Sequence, residues 1–187
     1  MPAILEREIK LRFTSPGEAR AAVLAAGAAP LHGRRLQDDR LLDTPAGMLR
    51  DRGSILRVRQ EAGRGFLTFK GPVALSDTKM RDELETAVAD GALVLRMLEE
   101  LGFRVWFRYQ KYREEFAIAD VIVAVDETPV GTFVEIEGGD RGIAETARAL
   151  GRGPTDYVLE SYRGLYAEHC QSRGLPLSDM LFDSTLE

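Results

Sequence analysis

The chain has 187 residues, 44% hydrophobic and 29% charged, which fits one globular domain or one domain with a small appendage. Its formal net charge of −5 argues against the broadly basic surface of a general nucleic-acid binder, but not against a local basic cluster for an anion. The single cysteine, Cys170, excludes an intrachain disulfide and a multi-cysteine metal site. No stretch approaches the ~20 apolar residues of a membrane span, so a cytoplasmic protein with no leader at 1–10 is expected.

Residues 3–13 alternate partly with period two and predict a strand. Ser15, Pro16 and Glu18 form a helix start, and the alanine-rich run that follows ends at Gly27. A second strand is expected over 33–43, then a hairpin of 54–61 and 65–71 around Ala62-Gly63-Arg64, then a strand over 79–87. Asp90 caps a helix that runs to about Leu101, with Leu95, Met97, Leu98 and Leu101 read as core. Three strands follow over 103–115, 117–126 and 130–138, then a helix over 141–150 and a last amphipathic helix over 155–172. That last helix carries Tyr157, Leu159, Tyr162, Leu165 and Tyr166, read as a buried apolar stripe. The domain is expected to span 1–173, with 174–187 a loosely attached tail. Strands in hairpin-like succession give an antiparallel sheet and the α+β class.

Residues two apart on a strand share a face. Glu6, Glu8 and Lys10 thus oppose Leu5, Ile9 and Leu11, with Arg7 an exception. Arg57 and Arg59 oppose Leu56 and Val58, and Thr68 and Lys70 oppose Leu67 and Phe69. Arg81, Glu83 and Glu85 share a face, as do Lys111 and Arg113, and as do Glu135 and Glu137; Asp126 closes the strand between the last two pairs. Two arrangements fit this alternation. One is an open sheet with its charged face in water. The other is a closed eight-stranded barrel, charged inside, with helices against its apolar outside. The pattern alone leaves both open; the open sheet explains the alternation but not the density of charge, its grouping by sign or the prominence of arginine. In the barrel each buried charge needs a partner, arginine forks match phosphate oxygens, and clustered carboxylates suit a hard cation.

Several of these runs also resemble a known family, the CYTH domain or triphosphate tunnel metalloenzymes. Glu6-x-Glu8-x-Lys10 is similar to its opening signature. In the family's order follow Leu56-Arg57-Val58-Arg59, Leu67-Thr68-Phe69-Lys70-Gly71-Pro72, Arg81-Asp82-Glu83-Leu84-Glu85 and Lys111-Tyr112-Arg113, then Asp126 and Gly131-Thr132-Phe133-Val134-Glu135-Ile136-Glu137. The resemblance covers about residues 3–166. One departure stands in the second strand, where the family's tyrosine is Leu41.

The resemblance implies an eight-stranded tunnel that binds triphosphate and works with Mg²⁺ or Mn²⁺. It points to Glu6, Glu8, Glu135 and Glu137 as metal ligands, with Asp126 nearby. Lys10, Arg57, Arg59, Lys70, Arg81, Lys111 and Arg113 are the expected triphosphate contacts. Lys10, Glu83, Glu85, Lys111 and Asp126 are the expected catalytic set. Hydrolysis of inorganic triphosphate or of a nucleoside or thiamine triphosphate is the preferred activity. Cyclisation of ATP, as in the class IV adenylyl cyclases, is the alternative, and a non-catalytic polyphosphate- or nucleotide-binding module the third. The expected partner is a triphosphate-containing small molecule, not nucleic acid or membrane; a homodimer is compatible with the chain but marked by no motif. Cys170, His32 and His169 are read as incidental to the chemistry.

Overall fold

The computed structural model describes residues 4–74 and 78–183. Eight strands form one sheet: β1 (Ile4–Phe13), β2 (Ala29–Asp43), β3 (Ile55–Glu61), β4 (Arg64–Lys70), β5 (Lys79–Val88), β6 (Arg104–Ile118), β7 (Val121–Thr128) and β8 (Gly131–Glu137). The order β1-β5-β4-β3-β2-β6-β7-β8 closes on itself into a barrel, and each neighbouring pair is antiparallel. The open-sheet arrangement is thereby excluded. Around the barrel lie α1 (Pro16–Ala25), a short α2 (Met48–Asp51), α3 (Gly91–Glu100), α4 (Asp140–Ala149) and α5 (Tyr162–Arg173).

Local chemistry sets several of these boundaries. Ser15 caps α1 by accepting from the Glu18 amide, and Asp90 caps α3 through the Leu93 amide. The β3–β4 hairpin turns on Ala62 and Gly63, both at positive φ, 47° and 77°, as a two-residue loop requires.

The larger apolar core lies outside the barrel wall, and a second cluster, Leu41, Phe107, Tyr109, Phe133, Tyr162, Leu165 and Met180, joins wall residues to α5 and the chain after it. Ile9, Leu11 and Phe13 of β1, Val121, Val123 and Val125 of β7, and Val134 and Ile136 of β8 are buried under Ala19 and Val23 of α1 and Ile143 and Ala147 of α4. Each such large side chain contributes on the order of 1.5–3 kcal/mol. The opposite parity of the same strands carries the charged residues into the barrel. Arg7, the exception to the alternation, lies outside, 3.6 Å from Asp140.

Three expectations require correction. The residues of α3 read as core are not: Met97 is 54% and Leu101 75% exposed, and Leu95 and Leu98 are only partly covered. α3 meets the barrel at its first residue, where a side-chain carbon on Gly65 would stand 2.7 Å from the Gly91 nitrogen, and this seat does not bring the later turns down onto the wall. The last helix is not continuous over 155–172: a 3₁₀ turn, Pro154–Asp156, is followed by extended chain, and α5 begins only after the Ser161 cap. Extended residues between them let Val158 pair with Lys10 of β1. The described part of the tail, 175–183, is not loose, because Met180 pairs in parallel with Tyr109 and is fully buried, while 184–187 lie outside the described residues. Met180 donates to the Arg108 carbonyl at 3.0 Å and accepts from the Gln110 amide at 2.9 Å. The half of β6 before Tyr112 extends beyond the end of β7, and this strap occupies the backbone groups left unpaired there.

Candidate functional site

The barrel encloses a cavity of about 720 Å³. Glu6, Glu8 and Lys10 reach it from β1, Arg57 and Arg59 from β3, and Lys70 from β4. Arg81, Glu83 and Glu85 reach it from β5, Lys111 and Arg113 from β6, and Glu135 and Glu137 from β8. Every sequence-predicted site residue therefore lines one cavity except Asp126. That residue points into the barrel beside Arg113 but is fully buried beneath its partners, accepting from Lys111 at 2.8 Å, Arg113 at 2.7 and 2.6 Å, and the Tyr162 hydroxyl at 2.5 Å. Its oxygens are occupied by these donors, so Asp126 positions two cations rather than facing a ligand.

The interior is a network of close ion pairs. Lys10 bridges Glu8 at 2.9 Å and Glu135 at 3.3 Å, and Arg113 meets Glu135 at 2.6 Å. Lys70 stands 2.6 Å from Glu6 and 3.0 Å from Glu83. Arg57 donates to Thr68 and Glu85, and Arg59 forks onto Asp39 at 2.9 and 3.2 Å. Pairing of this kind makes a buried charged interior tolerable, yet it leaves donors over. Nε and Nη1 of Arg81 are buried and find no acceptor among the described residues, and Nε of Arg57 has only the Asp39 carboxylate at 3.4 Å, without a hydrogen bond. Buried guanidinium N–H groups without acceptors are costly, and an anion supplies what they lack.

Two titrations are displaced far enough to matter near neutrality. Burial, and then the neighbouring Arg113, bring Lys111 down to about 8. Burial, and then the carboxylates of Glu6 and Glu135, push Glu137 up to about 7. Glu6 is raised as well, by burial and by Glu8 and Glu83, against the pull of Lys70. Burial works against ionisation of Glu8 too, but Lys10 and Lys79 outweigh it and hold that carboxyl below its ordinary range. Glu6, Glu83 and Glu137 thus form an acidic group whose mutual repulsion a cation would relieve. Their donors are all carboxylate oxygens, the set that suits Mg²⁺ or Mn²⁺. Among the described residues no three acids are already drawn into a metal-holding arrangement, since Glu6 leans to Lys70 and Glu8 to Lys10 and Lys79. A cation entering here exchanges those lysines for itself.

Sequence reading missed several residues of the same cavity. Lys79, 2.5 Å from Glu8, shares the parity of Arg81 and Glu83 and was findable from it. Asp39, which anchors Arg59, lies on β2, where the parity of Gln37, Asp39 and Leu41 carries the signal. Tyr109 shares the parity of Lys111 and Arg113 and was findable in the same way, whereas Trp106, Arg50 and Arg163 gave no signal, because their place depends on a bulge and on elements distant in sequence. Leu41, the departure from the family pattern, is buried at the apolar end of the cavity. The stripe reading of α5 holds for Tyr162 and Leu165, which are buried. The Tyr162 ring also lies 5.3 Å from the Lys10 ammonium and 4.8 Å from that of Lys111, so it caps both cations.

The family model described as the CYTH domain matches residues 5–155. A protein of Methanocaldococcus jannaschii named "Putative adenylate cyclase" is 28% identical over 118 residues, 63% of this chain and 67% of that protein. Among solved structures, a Vibrio parahaemolyticus protein titled a "putative adenylate cyclase" superposes with a TM-score of 0.78 at 21% identity, over 89% of this chain and 99% of its own. A Hippeastrum protein, whose title records "a dominant triphophatase activity", superposes at 0.56 and 22% identity, over 91% and 89%.

Proposed function

We propose that this chain, which belongs to the CYTH domain family, is a divalent-metal-dependent hydrolase of a triphosphate held in the barrel. The observation that carries the reading is the buried guanidinium of Arg81, whose Nε and Nη1 lack acceptors among the described residues, inside a cavity that also presents Lys10, Arg57, Arg59, Lys70, Lys111 and Arg113. Phosphoryl transfer needs positioning and neutralisation of charge more than covalent chemistry. The arginine forks and lysines bind and align the phosphate chain, and they stabilise charge as the leaving phosphate departs. Glu6, Glu8, Glu135 and Glu137 would hold Mg²⁺ or Mn²⁺, which when bound polarises the phosphate oxygens and adds to that stabilisation. Glu83, 3.0 Å from Lys70, accepts the proton of the attacking water. The P–O bond to the terminal phosphorus breaks, and orthophosphate and the shortened phosphate chain leave.

The name of the M. jannaschii relative favours a second reading, attack of a ribose 3′-hydroxyl on the α-phosphorus of ATP. One incubation separates the two. Purified protein with Mg²⁺ or Mn²⁺ should release orthophosphate from inorganic triphosphate or a nucleoside triphosphate. Cyclic AMP with pyrophosphate would establish the cyclase instead, and no product with either metal would sink both.

A further inference from the structure

We propose that the end of the cavity formed by Leu41, Ile55, Trp106 and Arg163 is a subsite for a purine ring, so that the substrate is a purine nucleoside triphosphate rather than inorganic triphosphate. This rests on the triphosphate reading above and specifies its substrate class.

Along β2 the inward side chains run Gln37, Asp39, Leu41, and along β3 they run Arg59, Arg57, Ile55. Asp39 pairs with Arg59 and Leu41 with Arg57, so Leu41 and Ile55 put an apolar step into the run of inward charges, beyond which buried Asp43 holds Arg50. On β6 the pairing slips between Leu41↔Phe107 and Leu42↔Val105. Trp106 is therefore the extra residue of a bulge, a device that re-aims a side chain beside a site. Its ring stands 6.1 Å from that of Phe107 and lines the same cavity as Arg57 and Lys111. A bare triphosphate makes no use of an apolar, aromatic wall; a ring attached to it does.

Two arginines complete this end. Arg50 of α2 is anchored by its Nε to Asp43 at 3.0 Å, and Arg163 projects from the first turn of α5. Both guanidinium carbons lie 4.7 Å from the Trp106 ring centroid. Arg163 Nε is buried without a hydrogen-bond partner among the described residues. Nucleobases stack on aromatic rings and guanidinium planes, and arginine donates to the acceptors on a purine edge. Two guanidiniums repel a cationic ring such as a thiazolium, which sets a purine above thiamine.

The test is calorimetric binding of ATP, GTP, thiamine triphosphate and inorganic triphosphate to wild type, Trp106→Leu and Arg163→Lys. The lysine variant keeps the charge and loses the planar fork. ATP or GTP should bind wild type about 10-fold more tightly than the other two, and each variant should lose about that factor for the nucleotide alone. Inorganic or thiamine triphosphate binding as tightly as the nucleotides, or an equal loss for every ligand in both variants, would overturn the subsite. Nucleotide-selective binding without turnover would keep the subsite and discard the hydrolase.

Discussion

Glu137→Gln tests the acidic group at its centre. Burial, with Glu6 and Glu135, pushes the Glu137 carboxyl up to about 7 from an ordinary 4.5. Below about pH 4.5 both folded and unfolded chains hold this proton. As pH rises from there to 7 the unfolded chain releases it first, so native stability falls, and above 7 the loss is complete. At about 1.4 kcal/mol per tenfold change in acidity the loss is about 3 kcal/mol, reduced to about 2 because the residue is only half-buried. Glutamine keeps the shape and removes the charge. At pH 8 with excess chelator, E137Q should therefore melt about 4–8 °C above wild type, and at pH 5 the gap should shrink. Mn²⁺ should raise the melting temperature of wild type and leave that of E137Q nearly unmoved, and triphosphate turnover should be lost in the variant. Differential scanning fluorimetry at both pH values, with chelator and with Mn²⁺, reads all of this except turnover. A variant that melts below wild type at pH 8, or an equal Mn²⁺ shift in both proteins, would refute the argument that these carboxylates repel one another and await a cation.

Four further outcomes are expected. Lys111, brought down to about 8, loses its charge above that pH, so inorganic triphosphate should bind more weakly as pH rises past 8; Lys111→Arg should flatten that fall in a titration of affinity against pH. Arg57→Ala should weaken triphosphate binding by about 2 kcal/mol, the scale of a lost charge-assisted contact, and an unchanged affinity by calorimetry would remove Arg57 from the site. Tyr162→Phe deletes the hydroxyl that donates to Asp126 and should lower stability by about 1–2 kcal/mol, read as a drop of a few degrees in melting temperature. Met180→Ala empties a fully buried position on β6 and should cost about 2–4 kcal/mol in chemical denaturation; a neutral effect would mean that the strap contributes nothing.

The strands and the sign of the charge on each were legible in the chain of residues alone, because side-chain parity along a strand depends on nothing distant. Glu6, Arg57, Lys70, Arg81, Lys111 and Glu137 were therefore named before any fold was known, and one cavity gathers them. Which face became the inside was settled by the folded barrel, since closure depends on β8 meeting β1 and β2 meeting β6 across long sequence separations. The barrel also showed the Asp126 carboxylate closed off by its own partners, because its three donors come from β6 and α5. The same reason hid the Trp106 end of the cavity. A one-residue slip of register turns that ring inward, and Arg50 and Arg163 arrive there from helices whose docking no local pattern encodes. The apolar residues of α3 erred in the other direction: helical periodicity marks a stripe that can be buried, and the close seat of Gly91 on Gly65 left most of that stripe in solvent.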